Sequence, residues 1–155
     1  MLLFVLFACQ SEPAPEAPVP ADEPSHADHS PPADHADHAA PQPVEGLLLT
    51  LNGTERWPMD EHTREVFAET RSSLATADIG SVEEATALGA VLQGQLDRLI
   101  EGCTMDGAAH DELHVFLMVW IPEVSSLQDD TALDVAKARV QRLQAMVTEY
   151  DRFFE

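Results

Sequence analysis

Proline and positive charge divide this 155-residue chain in two. Nine of its eleven prolines precede residue 44, and all eight Lys and Arg follow residue 55. Residues 10–45 are dominated by Pro, Ala, Glu, Asp and His and contain no aromatic side chain. Such a stretch buries too little apolar surface to offset its ordering entropy, so it is expected to remain a disordered tether. Its prolines bias it toward polyproline II, with a reach of up to ~3.1 Å per residue. Folding is left to residues 46–155, enough for one compact domain and too few for two.

Charge narrows the partners. The formal net charge is -20, of which residues 1–45 supply eight acids and no base. Binding to nucleic acid requires clustered Lys and Arg to neutralise phosphates, and no cluster exists. A polybasic membrane patch is excluded for the same reason.

A membrane connection is expected by another route. Met1 to Cys9 form an apolar run far shorter than the roughly 20 residues a spanning helix needs. It reads as the apolar region of a signal peptide. Leu6-Phe7-Ala8-Cys9 resembles the lipobox of bacterial lipoproteins, in which the Cys is acylated and becomes the mature N-terminus. No basic residue precedes the run, so translation is expected to start one or more codons upstream. The resemblance implies lipidation at Cys9 and export to the bacterial cell envelope. Gln10-Ser11, in place of an Asp after the Cys, point to the outer membrane facing the periplasm in a Gram-negative cell.

Within the tether, His26, His29, His35 and His38 fall in an Ala-Asp-His repeat. Neutral imidazoles beside carboxylates can capture Cu(II), Zn(II) or Ni(II), but without a fold to fix them the affinity is modest. A soluble spacer that drifted into a short repeat accounts for the same residues.

The domain opens on Leu47 to Trp57, in which Asn52-Gly53 separates two short apolar stretches. This is the signature of a small β-hairpin or an extended lead-in. The apolar period then becomes helical in four segments. The first runs from about Asp60 to Ala75, with Val66, Phe67, Thr70 and Leu74 facing inward. The second starts at the capping pattern Ser81-Val82-Glu83-Glu84 and carries Ala85, Leu88, Leu92, Leu96, Leu99 and Cys103 on one stripe. A third is expected from Gly107 to Ser125, with His110, Leu113, His114, Leu117, Trp120 and Ile121 on or beside its stripe and Pro122 kinking or shortening it. The fourth runs from Thr131 to about Phe153 through Leu133, Ala136, Val140, Leu143, Val147 and Tyr150. Four such helices joined by short links predict an all-α domain, an antiparallel up-down four-helix bundle preceded by the short hairpin. That connectivity brings Trp57, Met59, His62, Cys103, Met105, His110, Tyr150 and Phe153 to one end. His114 is expected one turn further in, below His110.

The chemistry lies between Cys103 and His114. Cys103, Met105, His110 and His114 place one thiol, one thioether and two imidazoles within twelve residues of a helix-turn-helix. With Cys9 acylated, Cys103 has no disulfide partner, and an unpaired thiol in an oxidising compartment calls for a reason. Metal ligation supplies one, because a bound thiolate is both required and protected. Thiolate and thioether together select Cu(I), whereas Zn(II), the alternative, takes Cys, His and carboxylate. Met59 and His62 are further candidate ligands. Each of these residues also has a plain packing role, since free Cys and Met readily fill apolar cores.

Catalytic patterns fit less well. His110-Asp111-Glu112-Leu113-His114 resembles the zinc-protease H-E-x-x-H, but Asp111 stands where the general-base Glu belongs. No C-x-x-C-H for covalent haem, phosphate loop or di-iron pattern occurs. No enzyme activity is expected.

Trp57 after the Asn-Gly turn, the Cys-Thr-Met-x-Gly-x-x-His-x-x-Leu-His run from Cys103 to His114, and Tyr150-x-x-Phe153-Phe154 resemble a family of small exported bacterial helical proteins. The resemblance spans about residues 47–155. It implies a compact helical domain outside the cytoplasm and carries over no activity. The metal assignment thus stands on ligand chemistry: an envelope lipoprotein that binds copper for handling or storage. The competing readings are a structural or protein-interaction lipoprotein, its partner undefined, and a small haem or redox sensor.

Overall fold

The computed structural model describes residues 44–155, which are all-helical in their regular structure. The helices are α1 (Glu61–Ala75), α2 (Val82–Gly102), α3 (Gly107–Asp129) and α4 (Leu133–Phe153). The signal peptide, Cys9 and the tether histidines His26, His29, His35 and His38 lie outside the described residues.

Local chemistry starts the first two helices. Asp60 is the N-cap of α1, its carboxylate accepting a 2.7 Å bond from the Thr63 N–H, and the Ser81 hydroxyl accepts at 3.2 Å from the Glu84 N–H in α2. Each bond satisfies one of the helix's orphan donors. Glu84 turns back to accept from the Gly80 N–H at 2.6 Å, one residue before the N-cap where a capping box would place it.

Helix α3 departs from expectation. It continues through Pro122 to Asp129, four residues past the expected end. A proline inside a helix removes the bond to the carbonyl four residues back. Here that carbonyl belongs to Met118, and both Met118 and Pro122 are exposed, so the missing bond falls on the exposed side of the helix. Helix α4 begins at Leu133, two residues later than Thr131.

One core unites the helices. Val66, Phe67 and Leu74 of α1, Leu92, Leu96 and Leu99 of α2, and Val140, Leu143 and Val147 of α4 are buried as their spacing predicts. In α3 the buried face includes Phe116, Val124 and Leu127, while His114 and Ile121 are exposed. Phe116 sits at the centre of an aromatic cluster, 5.6 Å from Phe67, 5.5 Å from Trp120, 5.4 Å from Tyr150 and 6.3 Å from Phe154 between ring centroids.

The segment before α1 contains no strand among the described residues. Asn52 and Glu55 exchange two backbone hydrogen bonds as an isolated antiparallel bridge. Gly53 occupies the first central position of this turn at φ 68°, a conformation that favours glycine. The Trp57 N–H then donates to the Phe153 carbonyl at 2.7 Å and the Glu155 N–H to the Trp57 carbonyl at 2.9 Å. This parallel bridge ties the approach to α1 to the end of α4. No helix of the described residues is long and apolar enough to cross a membrane.

Candidate metal centre

Cys103 is the C-cap of α2, with extended backbone at φ -66° and ψ 121°. The chain needs only three more residues before Gly107, at φ 70°, opens α3. The Thr104 hydroxyl pins this short link by donating to Asp60 Oδ2 at 3.3 Å. Burial works against the Asp60 charge, but hydrogen bonds from Thr63 and Thr104 outweigh it and hold the carboxyl below its ordinary range. The same carboxylate therefore caps α1 and anchors the residue that follows Cys103.

One turn into α3, His110 faces the thiol. Cys103 Sγ and His110 Nδ1 are 3.6 Å apart. Two ligands at about 2.3 and 2.0 Å from one tetrahedral ion are separated by about 3.5 Å, so the pair has the spacing that shared ligation requires. His114 follows four residues later, its ring centroid 4.4 Å from that of His110. Cys103 and His110 are half-buried, whereas His114, one turn further along α3, is exposed.

These three side chains share a pocket of about 320 Å³ between α2 and α3. Leu99, Leu113 and Leu117 form its buried floor, and Ile100, Met118 and Ile121 form an exposed rim. The lining contains no carboxylate. Glu112, which the helix carries between the two histidines, instead accepts from the backbone N–H and hydroxyl of Thr50.

The other candidates are placed elsewhere. The Met105 thioether accepts a 3.6 Å hydrogen bond from the Thr63 hydroxyl and packs against the core, outside the lining of the pocket. Met59 is a core residue at 3% exposure. His62 Nε2 lies 2.8 Å from the Arg98 carbonyl, which can only accept, so that nitrogen carries the proton and is not free to ligate. The His62 ring also rests on Gly102, where an added Cβ would clash with the imidazole.

Among the described residues, no three His, Cys, Asp or Glu side chains already converge as a metal-binding group. Cys103, His110 and His114 form a row, which side-chain rotation would have to close around an ion. Met118, which the sequence pattern does not single out, lines the same pocket further along α3. Compared with known proteins, the chain matches no family model, no curated protein and no solved structure.

Proposed function

We propose that the domain binds a transition metal, Cu(I) in the first instance, through Cys103 and the two imidazoles of α3. The observation carrying this reading is the 3.6 Å approach of Cys103 Sγ to His110 Nδ1 in a pocket that also contains His114. A thiolate with imidazole donors suits a soft or borderline ion. The four helices are read as an antiparallel up-down bundle, which fits their short links. Cys9 is read as a lipid anchor in the bacterial envelope, and His26, His29, His35 and His38 as weak sites that raise the metal concentration near the domain. Membership of the exported helical family that the Cys103–His114 motif resembles belongs to the same proposal. The role is non-catalytic handling or storage.

Anaerobic titration of the reduced chain with Cu(I) and with Zn(II), each against a competing chelator, tests the reading. Cys103→Ser should lower Cu(I) affinity by more than about 100-fold, since loss of an outer-shell partner alone typically costs 10–100-fold. Equal affinity in the two proteins would overturn it. The exposed apolar rim of Ile100, Met118 and Ile121 supports a second reading, a protein-interaction domain in which Cys103 and the histidines only pack. That reading expects no stoichiometric metal binding to the domain.

A further inference from the structure

Tyr150 holds a donor that the fold does not use. The residue is 4% exposed, and its buried hydroxyl has no hydrogen-bond partner among the described residues. Buried polar groups in folded proteins are nearly always paired, so each exception calls for an explanation. Burial pushes the phenol pKa up, which keeps the proton in place at neutral pH and the hydroxyl able to donate.

The surroundings are unlike the rest of this acidic chain. Only eight of its residues are Lys or Arg, yet Arg56, Arg64 and Arg71 line one pocket of about 220 Å³ with Tyr150, Asp151 and Glu155. Helix geometry accounts for the gathering. Phe67 stacks on the Tyr150 ring at 3.8 Å, and Arg64 and Arg71 stand three residues before it and four after, one turn to either side on the same face of α1. Arg71 makes a two-pronged pair with Asp151, and Arg56 pairs with Glu155 at 3.1 Å. Arg64 has no carboxylate partner among the described residues. One of its nitrogens donates to the Met59 carbonyl at 3.0 Å, and the rest of the guanidinium fork stays open. All three arginines are exposed, so the way to the hydroxyl is bordered by side chains that can rotate.

We propose that this pocket is a binding site for a small carboxylate, whose two oxygens accept from Arg64 and from the Tyr150 hydroxyl. One negative charge supplies the partner that Arg64 lacks, and a guanidinium fork matches carboxylate geometry. A phosphate dianion would bring a second charge up against Asp151 and Glu155, where like charges repel. The volume lies below the range of drug-sized ligands and suits an acid of a few carbons. No residue is shared with the Cys103 pocket, so the site stands or falls independently of metal binding.

Tyr150 is the only tyrosine of the chain, so isotope-labelled tyrosine gives the full chain a single phenolic carbon signal in NMR. That signal is followed during titration with propionate at constant ionic strength, and with inorganic phosphate in a parallel arm. Propionate should move it saturably and phosphate should not. Arg64→Gln, on the exposed face of α1, should weaken propionate binding about tenfold or more, as loss of a charge-assisted hydrogen bond requires. In chemical denaturation, propionate should raise the midpoint of the wild type and leave that of Tyr150→Phe, which keeps the stacked ring, unmoved. A tyrosine signal that propionate does not move overturns the site. Equal shifts with phosphate, or equal affinity in Arg64→Gln, reduce it to general attraction of anions and overturn the carboxylate assignment.

Discussion

Helix α3 has two faces with opposite demands. Toward α1 and α4 it presents Phe116 and Trp120 to Phe67, Tyr150 and Phe154, with Phe67 and Tyr150 stacked at 3.8 Å. Toward α2 it presents His110, His114 and Met118 around a half-open pocket containing the thiol of Cys103. The aromatic face gains from being closed and dry. The pocket face keeps soft and basic atoms near solvent, where close packing alone gives them no reason to be. Substitutions on the first face should therefore change stability, and those on the second should change binding.

The sharpest way to break that contrast is Phe116→Ala. Phe116 is 0% exposed and touches four other rings, so truncation should cost ~3–5 kcal/mol in chemical denaturation. A loss under about 1 kcal/mol would show that the aromatic face is not the centre of the fold.

Tyr150→Phe should act in the other direction. The phenol is buried with no hydrogen-bond partner, and burial pushes its pKa up. An unsatisfied buried hydroxyl costs about 1–3 kcal/mol, whereas phenylalanine keeps the same stacked ring. The variant is expected to gain ~1 kcal/mol in the same denaturation experiment. A loss would mean that the hydroxyl is held by a partner such as a trapped water.

How legible these faces were in the sequence follows from how local their causes are. Asp60 and Ser81 act within their own first turns, so the starts of α1 and α2 could be read directly. The inward stripes of α1, α2 and α4 are bounded by polar residues and were also legible. In α3 the seven residues Val115 to Ile121 are all apolar, and periodicity cannot choose a face when every side qualifies. Phe116 therefore does not stand out as buried, and His114 and Ile121, expected on or beside the stripe, are exposed. Pro122 is expected to kink or shorten α3 near Ser125, and how far the helix continues beyond it, to Asp129, depends on packing that local sequence does not carry. At the site, the Cys103–His110 approach could be read from seven residues and one short turn. The placing of Met105 could not, because the contact that turns its thioether away comes from Thr63, 42 residues earlier in the chain.

Asp60→Ala tests the support beneath the pocket. Loss of this N-cap should cost ~1 kcal/mol at neutral pH. The folded state holds the Asp60 carboxyl below its ordinary value of 3.8, so its stabilising effect is present above that value and lost as pH falls through it and then through the folded value. The gap between wild type and Asp60→Ala should accordingly narrow below pH 3.8. A constant gap down to strong acid would show that the ionised carboxylate is not what holds α1 and the Thr104 link.

Cys103→Ser should have the smallest effect on the metal-free fold. Cys103 is half-buried at a helix end, and serine preserves its size and its ability to meet His110, so the cost should stay within about 0.5 kcal/mol. The contrast appears on adding Cu(I). A ligand that binds only the folded state stabilises it by about 2.7 kcal/mol when present at 100 times its dissociation constant. Unfolding followed anaerobically with buffered Cu(I) should therefore shift for the wild type and hardly move for the serine variant. Phe116→Ala should behave oppositely, losing stability yet keeping the copper-induced shift wherever it remains folded. If Cys103→Ser instead destabilises the metal-free domain by several kcal/mol, and copper shifts neither protein, the thiol belongs to the packed core and the two faces of α3 do the same work.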